Sequence, residues 1–144
     1  MAIIGLDYGA ARIGMAVSDE LGVAAHPLPT VSRDGQELEA IAKVLEERSA
    51  SRIVVGLPLQ MDGAEGIQAR KVRSFVKELK RRLPGLDVVL VDERLTTAQA
   101  HRALSEMGAK MRTRRREVDR MAAQIILQRY LDREAAARRA KEHE

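Results

Sequence analysis

Three acidic residues, Asp7, Glu93 and Asp119, stand far apart in the chain at places where a charge asks for a reason. Asp7 closes the apolar run Ile3-Ile4-Gly5-Leu6 and is followed by Tyr8-Gly9. An unpaired carboxylate buried at such a strand end is costly or stays protonated. Either the strand ends at solvent there, or the acid holds a cation. Three carboxylates brought together repel, and their ionised forms are stabilised only by a cation. Ligation by oxygen alone selects Mg²⁺ or Mn²⁺ over zinc. A pair of such ions about 3.5–4 Å apart is a known clamp for in-line phosphoryl displacement. The chemistry expected of the trio is therefore metal-dependent phosphodiester hydrolysis. Each acid also has a structural reading: Asp7 as a turn former, Glu93 as an ion-pair partner of Arg94, Asp119 as an acid favoured in a first helical turn. Asp92 competes with Glu93, because neighbours on a strand point to opposite faces. Pattern alone leaves that choice open.

A phosphodiester substrate needs a cationic surface, and two candidates are visible. Arg70, Arg73 and Lys77, with Lys80 and Arg81, recur at helical spacing opposite Phe75 and Leu79. Lys110, Arg112, Arg114, Arg115 and Arg116 put five like charges into seven residues just before Asp119. Such a run repels itself unless a polyanion arrives, and each phosphate neutralised steepens the salt dependence of binding. A solvated helix face is the competing reading of the first stripe. Charge is also segregated along the chain. Residues 1–50 carry four Lys/Arg against eight Asp/Glu, whereas residues 70–82 carry seven against one. Acidic and basic zones fit a cation site facing a polyanion-binding surface. With 2 Tyr, 1 Phe and no Trp, little material exists for base stacking. Recognition is expected to go through backbone and shape, and Tyr8 is either the one aromatic that stacks on a base or part of the core. Gln60 and Asp62 lie in a loop over residues 58–63 where substrate could pass. His26, His101 and His143 share no ligand spacing.

The elements that must position these residues follow from apolar periodicity. Residues 2–8 and 13–17 read as strands joined by a connection short enough only for an antiparallel hairpin. A third strand over about residues 23–31 carries Pro27 and Pro29, which place it at a sheet edge. Asp34 is expected to open a helix in a capping box with Glu37, with Leu38, Ile41, Ala42 and Leu45 on one face. A β-branched strand follows at residues 52–56, then a helix over 64–83 with a core stripe of Gln68, Val72, Phe75, Val76, Leu79 and Leu83. Residues 87–92 form the next strand, and Thr97 is a plausible cap for a helix over 98–107. Residues 110–117 read as a basic, non-periodic loop, and residues 118–132 as a final helix burying Val118, Met121, Ala122, Ile125, Ile126 and Tyr130. The fold class expected is α/β: a mixed five-stranded sheet, an antiparallel meander followed by βαβαβ crossovers, with helices on both faces. Ligands of such sheets gather at the carboxyl ends of the parallel strands, where Asp7 and Glu93 fall.

A chain of 144 residues with 45% apolar residues suits one globular domain, expected over residues 1–132 with a charged tail over 133–144. The absence of cysteine excludes disulfides and thiolate metal sites and fits a reducing, cytoplasmic compartment. No apolar stretch is long enough for a membrane span, and the first residues do not read as a signal peptide.

Four segments carry a family resemblance: GLDYGAARIGMAVSD (5–19), VVGLPLQMDGAEG (54–66), VDERLTTAQA (91–100) and VDRMAAQIILQRYL (118–131). In this order they closely resemble the YqgF-type family of RNase H-like nucleases, described as Holliday-junction-resolvase-like and as nucleases maturing the 5′ end of pre-16S ribosomal RNA. The resemblance implies an RNase H-like fold, a metal site on Asp7, Glu93 and Asp119, Mg²⁺ or Mn²⁺ as cofactor, and RNA or branched DNA as partner. It favours Glu93 over Asp92 by analogy. A junction resolvase would work as a homodimer to make paired cuts, but no dimer face stands out in the sequence. Two other readings compete: a non-catalytic RNA- or ribosome-binding factor on the same fold, and a relative of the actin-like ATPases, which would need a second lobe.

Overall fold

The computed structural model describes residues 2–93 and 111–143, with residues 111–120 described in their backbone alone. The helix expected over 98–107, its cap Thr97, and Lys110 lie outside the described residues.

Five strands form one sheet in the order β3-β2-β1-β4-β5: β1 (Ile3–Tyr8), β2 (Arg12–Ser18), β3 (Ala25–Ser32), β4 (Arg52–Leu57) and β5 (Asp87–Asp92). The first two make the expected hairpin, with Asp7 opposite Gly14, and Gly9 N–H donates to the Arg12 carbonyl at 3.0 Å to close the turn. Asp19 braces the next turn by accepting from Val23 N–H at 2.8 Å. β3 pairs antiparallel with β2 and lies at the edge of the sheet, the position its two prolines call for. β1, β4 and β5 run parallel, so their carboxyl ends emerge along one border of the sheet. At the opposite border, Arg52 pairs with Asp87 at 2.6 Å and donates to the Tyr130 hydroxyl at 2.7 Å.

Helices cover both faces. α1 (Glu37–Glu47) and α2 (Ile67–Arg82) pack on one face over Ile4, Leu6, Ile53 and Val55, using Ile41, Leu45, Phe75 and Leu79 among others. α3 (Met111–Glu142) packs on the other over Ala16, Val54 and Val91, using Ala123, Ile126, Leu127, Tyr130 and Leu131. Gly5 permits that close approach: a Cβ there would meet Leu127 Cβ at 2.7 Å and the Ala123 carbonyl at 3.1 Å. Burial of these apolar stripes is the main stabilising term.

Three local expectations need correction. The N-cap of α1 is Gln36, without a side-chain cap bond. Asp34 accepts from Gln36 N–H at 3.0 Å and Glu37 from Gly35 N–H at 2.8 Å, so both acids brace the turn before the helix instead of forming a capping box. On α2, Gln68 is exposed and Ala69 is buried, which moves the start of the core stripe by one residue. Residues 111–117 are helical, not loop, and α3 runs unbroken through the tail to Glu142. Arg, Glu, Met and Ala are strong helix formers, so the backbone stays helical here without an apolar period in the sequence.

Candidate active site

The pleat separates the two acids at the end of β5, Asp92 and, one residue on, Glu93. Successive strand residues alternate between faces. Val88 and Leu90 pack with the α1/α2 core, whereas Val89 and Val91 pack with the α3 core. Asp92 therefore falls to the α1/α2 side and Glu93 to the α3 side. Asp7 shares the α3 side with Ile3 and Gly5 by the same count. Glu93 N–H donates to the Leu57 carbonyl at 3.1 Å, which continues the ladder one residue beyond β5 and fixes the Glu93 backbone.

The Glu93 side chain then lies back across β4. A Cβ on Gly56 would stand 2.3 Å from Glu93 Oε2, 2.9 Å from its Cδ, and 2.5 Å from Ile126 Cδ1. Only a glycine leaves the carboxylate that bed. A glycine inside a strand often marks such a close approach. Sequence reasoning used Gly56 only as the end of a strand and missed this role.

The electrostatics are those of a crowded acid pair. Glu93 Oε2 is buried and has no hydrogen-bond partner. Burial first, then repulsion from Asp7 and a hydrogen bond to Asp7, then the charge of Asp92, push the Glu93 carboxyl up to about 9. Two ionised carboxylates cannot bond each other; the Asp7–Glu93 hydrogen bond needs one proton on the pair, and the burial of Glu93 favours its residence there. A buried oxygen without a donor, beside a second carboxylate, is the environment a hard divalent cation satisfies. The donor set thus fits Mg²⁺ or Mn²⁺. Among the described residues no three acidic or histidine side chains converge as a metal cluster. Asp119 lies in the amino-terminal part of α3, the helix that covers this face.

α3 is held in place by polar as well as apolar contacts. Gln128 accepts from Ala25 N–H at 2.9 Å and donates to the Val23 carbonyl at 2.8 Å, and Gln124 donates to the Ala25 carbonyl at 3.0 Å. Arg129 reaches the Asp92 carbonyl at 3.4 Å, next to the acid pair. Neither the glutamine clamp nor Arg129 was singled out from the sequence. Their partners lie 37 or more residues away in the chain, so no local pattern announces them.

The two basic regions part company. Arg112, Arg114, Arg115 and Arg116 belong to the first turns of α3, on the element that bears Asp119. Arg70, Arg73 and Lys77 lie on α2, which packs against the opposite face of the sheet from Asp7 and Glu93. Arg73 is engaged by Glu65 through two contacts, at 2.5 and 2.9 Å. The loop after β4 is braced from within. Asp62 accepts from Ala64 N–H at 2.9 Å, Gln60 N–H donates to the Ala64 carbonyl at 2.8 Å, and the Gln60 amide lies over Gly66. Tyr8 is half-buried and stacked on Phe75.

Comparison with known proteins adds a family. A family model described as RuvX, Holliday junction resolvase, matches residues 1–133. A protein of Syntrophus aciditrophicus (strain SB), named "Putative pre-16S rRNA nuclease", is 47% identical over 134 residues, covering 92% of this chain and 89% of that one. One of the same name from Anaeromyxobacter dehalogenans (strain 2CP-C) is 45% identical over 137 residues, covering 94% and 99%. Among solved structures, the RuvC of T. thermophilus in complex with a Holliday junction substrate superposes with a TM-score of 0.56 at 16% identity, covering 94% of this chain and 96% of that one. The fowlpox virus Holliday junction resolvase gives a TM-score of 0.53 at 12% identity, covering 92% and 99%. At such identities these two likenesses carry the fold, an RNase H-like mixed sheet.

Proposed function

This chain belongs to the RuvX family of Holliday junction resolvases, and from that premise we propose that it is a metal-dependent nuclease acting on structured nucleic acid. The substrates proposed are the 5′ end of pre-16S rRNA, after the names of its relatives, and branched DNA, after the family description. One observation carries the reading: the buried, unpartnered Glu93 Oε2 beside Asp7 at the carboxyl border of the parallel strands.

Asp7 and Glu93 would hold Mg²⁺ or Mn²⁺, with Asp119 completing the set from α3. When bound, a pair of such ions lowers the pKa of an attacking water and offsets charge on the leaving oxygen. The chain's own contribution is positional. Gly56 gives the Glu93 carboxylate its bed, and the ladder bond from Glu93 N–H to Leu57 fixes where that carboxylate begins. Before the cation arrives, Glu93 keeps a proton shared toward Asp7, so the two acids coexist without full repulsion. Ile126, whose Cδ1 shares the space over Gly56 with Glu93 Oε2, sets apolar surface beside the carboxylate, which strengthens charge interactions there. Arg112, Arg114, Arg115 and Arg116, on the helix that bears Asp119, and Lys110 just before it in the sequence, are the residues proposed to contact phosphates.

Asp7→Asn tests the mechanism. It is expected to abolish Mg²⁺- and Mn²⁺-dependent cleavage across a panel of four-way junction, duplex, single-stranded DNA and RNA, with the circular dichroism spectrum retained. Undiminished cleavage would sink the proposal. Replacing Arg114, Arg115 and Arg116 by Ala is expected to weaken binding and flatten its salt slope by about 2–3. An unchanged slope would return these residues to solvent.

A further inference from the structure

β1 presents chemistry on both faces of the sheet at one point. Asp7 turns to the α3 side, and the next residue, Tyr8, turns to the α1/α2 side, where it lines a groove of about 500 Å³. Phe75, Arg33, Arg70, Lys71 and Ser74 also line it. Tyr8 and Phe75 are stacked with ring centroids 4.4 Å apart, and the Arg33 guanidinium carbon stands 4.2 Å over the Tyr8 ring. Groups of that size at that distance cannot share one ring face. The three therefore form a column, with Arg33 as its last layer. Arg33 Nη1 donates to the carbonyls of Gly9 at 2.8 Å and Ala10 at 3.0 Å, which fixes the guanidinium plane.

The groove is cationic in effect as well as in composition. Arg33, Arg70 and Lys71 stand against two acids, of which Glu78 is paired with Arg81 at 2.7 Å and Glu37 keeps its charge while accepting from Gly35 N–H. Among the described residues the ion pairs of α2 are Arg73–Glu65, Arg81–Glu78 and Arg82–Glu39, which leaves Arg70 and Lys71 outside them. A fixed guanidinium plane stacks on the faces of nucleobases, and in a continuous duplex those faces are covered by the neighbouring base pairs. Two cations beside that plane suit a phosphate.

We propose that this groove takes one unpaired nucleotide of the substrate strand, its base laid on the Arg33 plane and its phosphate held by Arg70 and Lys71. The assignment rests on the nuclease reading and narrows it. A strand crossing the end of β1 would have its scissile phosphate on the acid side and an extruded nucleotide on the groove side. The substrate class is then nucleic acid with an unpaired nucleotide next to the cut, such as a branch point, overhang or loop, and not uninterrupted duplex.

The test uses binding in a cleavage-deficient Asp7→Asn background without metal, so that it does not depend on catalysis. The probe is a fluorescent single-stranded RNA of about 12 nucleotides, intact or with one abasic site walked along it. One abasic position is expected to weaken binding by about tenfold, the scale of a lost base stack. Adding Arg33→Ala should weaken the intact RNA to the same extent and erase the sensitivity to that abasic site. Arg33→Lys, which keeps the charge and loses the plane, should not restore it. The Arg70→Ala/Lys71→Ala pair lies on an exposed helix face and needs no refolding of the turn. It should reduce the single-strand salt slope by about 1.4. Abasic losses equal with and without Arg33, or an unchanged salt slope in the Arg70/Lys71 variant, overturn the proposal. So does competition by free AMP or UMP at the oligonucleotide's own affinity, which would make the groove a small-molecule site. Failure of the nuclease reading shows separately, as absence of metal-dependent cleavage by the unmodified protein while the binding pattern persists.

Discussion

Glu93→Gln should make the metal-free protein more stable while destroying its activity. The Glu93 carboxyl titrates at about 9 in the folded chain against an ordinary 4.5. The folded state then binds more protons than the unfolded one between those values, so stability must fall as pH rises through that window. The contribution is fully present below about pH 4.5 and gone above about pH 9. At pH 7 the unfolded chain has gained about 2.5 pH units of ionisation, at about 1.4 kcal/mol each, which costs the fold about 3 kcal/mol. Glutamine has nearly the same shape, cannot ionise, and can donate from its amide to Asp7 as the protonated acid does. Urea unfolding in EDTA is therefore expected to place Glu93→Gln about 3 kcal/mol above the unmodified protein at pH 7. The gap should narrow toward pH 5 and widen toward pH 8.5. Adding Mn²⁺ should close much of it by stabilising only the chain that retains the acid. A variant less stable than its parent, with no pH dependence to the difference, would refute the reasoning: the carboxylate would then be ionised and already satisfied.

Gly56→Ala, which adds a methyl group 2.3 Å from Glu93 Oε2 and 2.5 Å from Ile126 Cδ1, is expected to cost about 1–3 kcal/mol by overpacking and to reduce metal-dependent cleavage by about 100-fold through displacement of the acid. Urea midpoints and initial cleavage rates read the two effects, and full activity would show that Glu93 does not need that bed. Gln128→Ala removes the bonds to Ala25 N–H and the Val23 carbonyl and should lower stability by about 1–2 kcal/mol. Hydrogen exchange should locate the loss at the start of β3, and unchanged protection there would exclude the clamp.

The strand plan was legible because its signals are local. The short Gly9–Arg12 connection forced a hairpin, and Pro27 and Pro29 forced an edge. What remained hidden was mostly set by partners distant in the chain. Asp92 and Glu93 are indistinguishable on their own strand, and only the packing of Val89 and Val91 under α3 separates them. The role of Gly56 depends on a carboxylate 37 residues later. The basic run before Asp119 has no apolar period to read, and its helical backbone shows only in the structure, where it continues the helix that carries Asp119. The α2 stripe was correctly a helix surface, yet its side of the sheet, opposite the acids, follows from crossover geometry that spacing cannot convey.

The ion pair at the other end of the sheet has a meaning that its energy does not suggest. Val88-Val89-Leu90-Val91 is apolar on both faces, so nothing in that run tells β5 which way to hang; shifted by one residue it would still bury four hydrophobic side chains. The shift would, however, bring Asp92 to the α3 side and carry Glu93 away from Asp7. Arg52, locked to Asp87 at 2.6 Å and to the Tyr130 hydroxyl at 2.7 Å, marks where the strand must begin. As a half-exposed pair it contributes little to stability. Its work is that of a reading frame: a start mark about 20 Å away that decides which letter of Asp-Glu is read by the chemistry. Damage to that mark would surface as a second population of molecules, equally folded and catalytically silent.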